Sequence, residues 1–278
     1  MSNLLKNEFK RIGAHFSSAL HLYMSPRTSS DSIRSFVNRL VPSDLGVPPC
    51  RVGSDGDGGY LVPDDFKGIQ YCFSPGVAET ATFETALYHR GIKSFLADYS
   101  VAGPPSGLPE CDFVKKFVGA VNSDNVMTLD RWVEEKCPDE TSGDLILQMD
   151  IEGAEYETLL ATSVATLTRF RIVVLELHKL NHLDNRLYFR TIEATICKLL
   201  EYFDVAHLHP NNAGGMTRIA GIEVPRVAEV TFLRKDRTVS KRPVKRLPNP
   251  LDVRNVQDER DILLPDYWWK SDGLRRSA

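Results

Sequence analysis

Short apolar runs alternate with amphipathic stretches through the middle of the chain. Runs rich in β-branched and aromatic residues predict strands over 71–74, 94–98, 113–121, 144–150, 171–178, 203–209 and 227–234. Apolar residues at helical spacing predict helices over 82–90, 129–137, 155–167 and 188–202. This alternation predicts an α/β protein with a Rossmann-like, seven-stranded, mostly parallel sheet and helices on both faces. The last strand alternates in character, so we expect it to be antiparallel.

The two ends of the chain differ from this middle part. Apolar residues recur at helical spacing up to Leu40, and we interpret residues 1–49 as an N-terminal helical extension. Residues 50–235 hold the repeating pattern and form the predicted main domain. Residues 236–278 are first basic, then contain prolines, then turn apolar. We expect them to form a C-terminal extension that packs on the main domain or on a second subunit of a homo-oligomer.

Composition disfavours several classes of protein. The 278-residue chain has a net charge of -3, which argues against a nucleic-acid partner. No apolar run reaches the roughly 18 residues of a membrane span, so stable membrane insertion is not expected. The five cysteines are scattered and odd in number, which is typical neither of a disulfide framework nor of a zinc cluster. Free thiols and the lack of a signal-peptide core predict a cytoplasmic protein.

Glycines and acids at the predicted strand ends indicate the kind of cofactor. A single glycine, Gly76, follows the first strand, whereas the pyrophosphate of a dinucleotide needs several. Asp98 ends the second strand, where a carboxylate accepts hydrogen bonds from ribose hydroxyls; an ordinary strand-end role is the alternative. The glycine-rich segment 53–59 is either a hairpin turn or a loop that a cofactor can approach closely. A ribose-binding acid without a phosphate cradle predicts S-adenosylmethionine (SAM).

Several motifs give the chain a resemblance to a known family. The most specific is Asp150-Ile151-Glu152-Gly153-Ala154-Glu155, and the others lie at 56–60, 128–132, 174–178 and 207–212. Over residues 51–234 the chain resembles the FkbM-type SAM-dependent methyltransferases, and 56–60 and 207–212 look like a subgroup linked to glycan modification. The turn 75–79 departs from the family's usual Gly-Ala-Asn type. We expect the cofactor to contact Asp57, Gly58, Gly59, Tyr60, Gly76, Glu79, Asp98, Tyr99 and Asp150.

Two acids close neighbouring predicted strands. Asp150 ends the fourth strand and Glu176 the fifth, and adjacent parallel strands lie about 4.8 Å apart. Together with His178 these carboxylates suit Mg²⁺ or Mn²⁺, which would hold a vicinal diol and acidify one hydroxyl. This arrangement resembles metal-dependent catechol-type O-methyltransferases by analogy. In the competing interpretation, Asp150 orients the amino group of the cofactor and Glu176 caps a neighbouring helix.

A sugar hydroxyl is weakly acidic and needs a base, a metal or both. His178 is the first candidate for the base, His209 the second and Glu152 a third. His207, Asn211 and Asn212 are expected to bind substrate hydroxyls. The predicted function is O-methylation of a sugar, nucleotide-sugar or glycan acceptor. Alternatives are a polyketide, lipid headgroup or nitrogen compound as acceptor, a nicotinamide-dependent oxidoreductase, and a non-catalytic binding protein.

Overall fold

The computed structural model describes residues 26–77, 80–108, 110–138 and 143–270. Its strands, numbered along the chain, are β1 (Ser43–Asp44), β2 (Pro49–Val52), β3 (Tyr60–Pro63), β4 (Ile69–Pro75), β5 (Lys93–Ala97), β6 (Asp112–Val114), β7 (Phe117–Val118), β8 (Val126–Met127), β9 (Asp144–Met149), β10 (Phe170–Leu177), β11 (Phe203–Pro210), β12 (Met216–Ile219), β13 (Ile222–Pro225), β14 (Ala228–Arg234) and β15 (Arg242–Pro243). Its α-helices are α1 (Ser30–Arg39), α2 (Thr82–Tyr88), α3 (Leu129–Lys136), α4 (Glu155–Ala161), α5 (Val164–Leu167) and α6 (Arg186–Tyr202). None of the helices within these ranges is both long enough and apolar enough to cross a membrane.

Seven strands form the central sheet in the order β6-β5-β4-β9-β10-β14-β11. β14 runs antiparallel to both of its neighbours, and the remaining pairs are parallel. The predicted Rossmann-like sheet with an antiparallel last strand is therefore confirmed. β14 lies inside the sheet and is buried along almost its whole length. The polar residues that alternate in its sequence, Glu229 and Thr231, are therefore buried too.

Two predicted elements are each broken in the structure. The predicted strand 113–121 divides into β6, which joins the central sheet, and β7, which pairs with β8 instead. The predicted helix 155–167 divides into α4 and α5 at Thr162 and Ser163. The Ser163 side chain caps α5 by accepting from the Thr166 N–H at 3.1 Å, while Asp130 accepts from the Ser163 N–H. Short polar side chains compete with helical hydrogen bonding in this way.

The apolar core lies on both faces of the sheet. One face packs against α1, α3, α4 and α6, for example through Phe36 and Trp132, and the Trp132 ring meets Phe73 edge-on at 4.9 Å. The other face is covered by α2 and by the β2–β3 hairpin, which contributes Val52 and Val62. The hairpin and α2 cover the apolar part of this second face. The carboxyl ends of the parallel strands carry polar side chains instead.

The chain beyond β14 lies against the same domain. Asp252 contacts β11 through His207, and Trp268 is fully buried, with its indole N–H donating to the Glu223 carbonyl at 2.9 Å. Before the sheet, α1 lies within the predicted N-terminal helical extension, whereas Ser43–Asp44 of that extension form β1 rather than a helix. Residues 1–25 of the predicted extension lie outside the described residues.

Candidate active site

Four polar residues stand side by side across four neighbouring strands. Glu176 of β10 pairs in register with Glu229 of β14, and Glu229 pairs with His209 of β11. Asp150 follows Met149, which pairs with Leu175, so Asp150 is next to Glu176 at the end of β9. We call Asp150, Glu176, Glu229 and His209 the polar row. All but Asp150 are less than 9% exposed, and a buried row of this kind needs protons, hydrogen bonds or cations to offset its charge.

Asp150, Glu176 and His178 form the tightest cluster next to this row. One ligand atom from each residue lies within 4.8 Å of those of the other two. Burial, followed by the charges of Asp150 and Glu229, raises the pKa of Glu176 to about 10. Burial raises the pKa of Asp150 to about 6, although His178 opposes the shift. Near neutral pH the two carboxylates therefore hold a proton between them, and the higher pKa of Glu176 places it there.

Hydrogen bonds fix the orientation of the His178 ring. Its Nδ1 lies 3.0 Å from Glu155 Oε1 and 3.0 Å from the Glu176 carbonyl oxygen. Because both are acceptors, Nδ1 carries the proton, and in the neutral ring the Nε2 lone pair is free. Nε2 lies 3.7 Å from Asp150 Oδ1 and 3.5 Å from Glu152 Oε2. The free nitrogen thus faces the acids, where it can bind a metal or accept a proton.

Opposing effects act on the pKa of His178. Burial lowers it, but the hydrogen bond and charge of Glu155, together with Asp150 and Glu152, outweigh burial. The net pKa is raised from the ordinary 6.5. The strand end that carries the ring is also held in place, because the Tyr156 hydroxyl donates to the His178 carbonyl at 2.7 Å.

Glu155 organises the loop between β9 and α4. It is fully buried, and its Oε1 accepts the N–H groups of Ile151 and Gly153 at 3.1 Å as well as His178. The loop turns through left-handed backbone at Glu152 (φ 56°) and Gly153 (φ 104°). A strained non-glycine residue at such a site is a common mark of function. The contact between Glu155 and His178 was not predicted from the sequence.

A cleft of about 490 Å³ opens beside this cluster. Its walls include the turn after β4, the ends of β5 and β9 and the strand β7, with Gly76, Asp98, Asp150 and Glu152 among the residues lining it. Its volume falls within the roughly 300–1,000 Å³ of small-molecule sites. Asp150 belongs both to this cleft and to the cluster with Glu176 and His178, so a molecule in the cleft would lie next to the acids.

The far wall of the cleft carries Asp98 and an aromatic pair. Asp98 is almost fully buried, and its Oδ1 accepts from the N–H and the hydroxyl of Ser100, both at 2.6 Å. Its second oxygen makes no hydrogen bond with the described residues. Phe117 lines the cleft and is half exposed, and the Tyr99 ring lies 5.4 Å from it, outside the lining. Tyr99 is among the cofactor residues predicted from the sequence, whereas Phe117 was not predicted, because the apolar run that contains it indicates only a strand.

The glycine predictions have a structural explanation. At Gly76 (φ 89°) a Cβ would overlap the Asp150 carbonyl, so the turn after β4 can press directly against the end of β9. Asp57, Gly58 and Tyr60 line a smaller space of about 50 Å³ with Gly76 and Asp150. Gly59 lies outside that lining, and its missing side chain lets the loop fold over Ser54. Glu79 lies outside the described residues.

The predicted substrate-binding residues are divided between two environments. Asn211 donates from Nδ2 to Glu176 Oε1 at 2.6 Å, so it belongs to the acidic cluster. His207 Nε2 lies 2.8 Å from Asp252 Oδ1. The Asn212 amide pairs with Val256, accepting its N–H and donating to its carbonyl, both at 2.9 Å. His207 and Asn212 thus hold the C-terminal extension here, and their contact with substrate stays a prediction.

His209 lies between two further acids that sequence reasoning missed. Its Nδ1 is 3.7 Å from Glu229 Oε2, and its buried Nε2, which has no hydrogen bond with the described residues, is 3.6 Å from Asp261 Oδ1. Burial lowers the pKa of His209, but Glu229, followed by Asp252 and Asp261, outweighs it and the net pKa is raised. Asn255 completes this end of the row by donating to Glu229 Oε1 at 2.5 Å. The C-terminal extension therefore supplies polar groups to the site.

Comparison with known proteins defines the class. A family model described as the Methyltransferase FkbM domain matches residues 86–203, which include β9, β10 and the cluster of Asp150, Glu176 and His178. Residues 86–203 therefore match an FkbM methyltransferase domain, and over this segment the family predicted from the motifs is confirmed.

Comparisons with solved structures and with curated proteins were also made over the whole chain. The chain is similar to a TehB-like SAM-dependent methyltransferase from Corynebacterium glutamicum, with 9% sequence identity and a TM-score of 0.28. That likeness covers 84% of this chain and 100% of the other. No curated protein matches the chain.

Proposed function

We propose that the protein transfers a methyl group from SAM to a hydroxyl of a sugar or glycan, at a site that also binds Mg²⁺ or Mn²⁺. The observation that carries the proposal is the position of Asp150. It lines the large cleft and lies within 4.8 Å of Glu176 and His178. Membership of the FkbM family implies SAM as the methyl donor. The methyl group would then be presented where acids and an imidazole face the acceptor.

The cleft has the polar groups that a nucleoside without phosphates requires. The unused oxygen of Asp98 can accept from ribose hydroxyls, and the exposed face of Phe117 can stack on a base. Among the described residues, no arginine or lysine lines the cleft, so it offers no cationic partner for a pyrophosphate. These features support SAM over a dinucleotide.

The cluster has the chemistry of a site for a hard divalent cation. Two carboxylates and a neutral imidazole nitrogen suit Mg²⁺ or Mn²⁺ with open positions for other ligands. Asp150 Oδ1 is buried and has no hydrogen-bond partner in the described part of the chain, so it is available as a ligand for a cation. When bound, such an ion lowers the pKa of a hydroxyl that it contacts. Asn211 holds Glu176 from the other side, as second-layer residues do around metal sites.

The group that accepts the proton depends on whether Nε2 binds the cation. If Nε2 is free, His178 takes the hydroxyl proton, and Glu155 stabilises the resulting imidazolium at 3.0 Å. If Nε2 binds the ion, Glu152 is the nearest remaining acid, with its Oε2 3.5 Å from Nε2 and its side chain 87% exposed. In the alternative without a metal, Asp150 holds the amino group of the cofactor and Glu176 keeps its proton.

The acidic surroundings favour a neutral, polyhydroxylated acceptor. Hydroxyl groups can donate to Asp150, Glu152 and Glu229, whereas a phosphate near this row would be repelled. We therefore rank simple glycosides and glycans above nucleotide-sugars as acceptors.

Mass spectrometry of reactions with SAM and a panel of methyl glycosides, oligosaccharides and nucleotide-sugars tests the proposal. We expect a mass gain of one methylene unit on a neutral sugar, loss of turnover in chelator, and recovery with added Mg²⁺ or Mn²⁺. His178→Ala should lower kcat by roughly 10²-fold or more, whereas the exposed His89→Ala serves as the matched control. Full turnover in chelator would remove the metal, and a methylated product only from non-sugar acceptors would overturn the substrate class.

A further inference from the structure

A second polar cavity, of about 320 Å³, lies where residues 26–32 meet the start of α6. It has no lining residue in common with the cleft of about 490 Å³ beside Asp150. Hydrogen bonds tie its two sides together, since Thr28 N–H donates to the Asp184 carbonyl at 2.8 Å and Arg186 N–H to the Pro26 carbonyl at 3.1 Å. The cavity therefore has walls that are held in a fixed relation to each other.

Three arginines line this cavity, namely Arg27, Arg186 and Arg190. None of them uses its side chain in an ion pair within the described ranges. The one acid in the lining is Glu193, whose Oε1 lies 3.9 Å from Arg39. The cavity thus carries a surplus of positive charge. Arginines at a protein surface are usually solvated, so these three side chains do not by themselves define a binding site.

A buried hydroxyl gives a second, independent observation. Thr28 is only 7% exposed and lines the cavity, yet its Oγ1 has no hydrogen-bond partner among the described residues. Buried polar atoms are normally hydrogen-bonded, so an unpartnered hydroxyl in the wall of a cavity indicates a place where a ligand or water can bind. The start of α1 lies beside it, with Ser29 capping the Ser32 N–H at 3.1 Å, and helix starts favour anions.

We infer that this cavity binds a phosphate group, either inorganic phosphate or the phosphate of a small metabolite, apart from the methyl-transfer site. Guanidinium groups recognise the oxygens of phosphate through paired hydrogen bonds. A tetrahedral anion can meet arginines on several sides and still accept from the Thr28 hydroxyl. A planar carboxylate has two oxygens and would leave part of this set without a partner.

Calorimetric titration of the full chain with inorganic phosphate and with glucose 1-phosphate, at matched ionic strength, tests the inference. We expect one site, weakened by at least about tenfold in Arg186→Gln/Arg190→Gln. Thr28→Val should weaken binding too, without lowering the free energy of unfolding, because it removes an unpaired hydroxyl. Arg131→Gln/Arg218→Gln removes two exposed charges elsewhere and should bind like wild type.

The two probes separate the sources of the phosphate. Tighter binding of glucose 1-phosphate indicates an organic monoester, and equal binding indicates free phosphate; both support the site. Absence of binding by either probe overturns the inference. So does a double Arg186→Gln/Arg190→Gln variant that binds as tightly as wild type.

Discussion

Replacing Glu176 with glutamine should stabilise the protein without ligands and at the same time abolish its activity. Burial and the charges of Asp150 and Glu229 raise the pKa of Glu176 to about 10 from 4.5. Between these values the folded chain keeps a proton that the unfolded chain has released. The free energy of unfolding therefore falls as pH rises through this window, by up to about 1.4 kcal/mol per unit. A glutamine side chain does not titrate, so this pH-dependent loss in the free energy of unfolding is absent from the variant.

The size of the effect follows from the same window. Between pH 4.5 and pH 7 this loss of stability amounts to at most about 3.4 kcal/mol. A glutamine at 176 can still accept the 2.6 Å hydrogen bond from Asn211, and its amide can donate to the Asp150 carboxylate. We therefore expect Glu176→Gln to raise the free energy of unfolding by about 1–3 kcal/mol at neutral pH. If Glu176 helps to hold the proposed cation, the same substitution should abolish the response of activity to Mn²⁺.

Urea unfolding followed by circular dichroism at about pH 5, 7 and 9 measures this directly. The difference between Glu176→Gln and wild type should be small at the lowest pH and should widen as the pH rises. For the metal response, Glu229→Gln is the matched control, since it makes the same change one strand away and lies outside the three-residue cluster. Its response to Mn²⁺ should survive. A difference that stays constant with pH, or a less stable Glu176→Gln variant, would refute this reasoning.

Other substitutions probe the remaining parts of the site. Glu155→Gln removes a negative charge that stabilises the His178 imidazolium, so the pKa of His178 should fall. In wild type we expect kcat/KM to rise with pH around a value above 6.5, and in the variant this rise should move to lower pH. The exposed Glu157→Gln is the control and should leave the pH profile unchanged. Glu155→Ala removes the acceptor for two loop N–H groups, and we expect chemical denaturation to show a loss of about 2–4 kcal/mol; unchanged stability would contradict the anchoring role. Asp98→Asn should weaken SAM binding by roughly 10-fold or more, measured by calorimetry, since a charged acceptor for ribose is lost; unaltered affinity would move the ribose elsewhere.

The sheet and the acidic pair were predictable because they depend on local patterns. Apolar runs marked the buried strands, and two successive strands of a parallel sheet bring their ends together, so Asp150 and Glu176 were expected to be neighbours. The β7–β8 pair was not predicted, since the apolar run 113–121 does not reveal that the chain leaves the sheet after Val114.

The parts of the site that escaped prediction depend on tertiary contacts or unusual backbone. Glu155 reaches His178 only because Glu152 and Gly153 adopt left-handed backbone, which a motif does not reveal. Asp261 meets His209 from the C-terminal extension, far away in sequence. Glu229 could have been predicted from the sequence. Side chains alternate between the two faces of a strand, so Glu229 lies on the same face as Thr231, and both are buried.

We expect one crevice to hold SAM beside the acids and the imidazole at the ends of β9 and β10. Isothermal titration of the unmodified protein with SAM, repeated with NAD, measures this. We expect a single site of micromolar affinity for SAM and no heat with NAD. Binding of NAD alone, or of neither molecule, would contradict it.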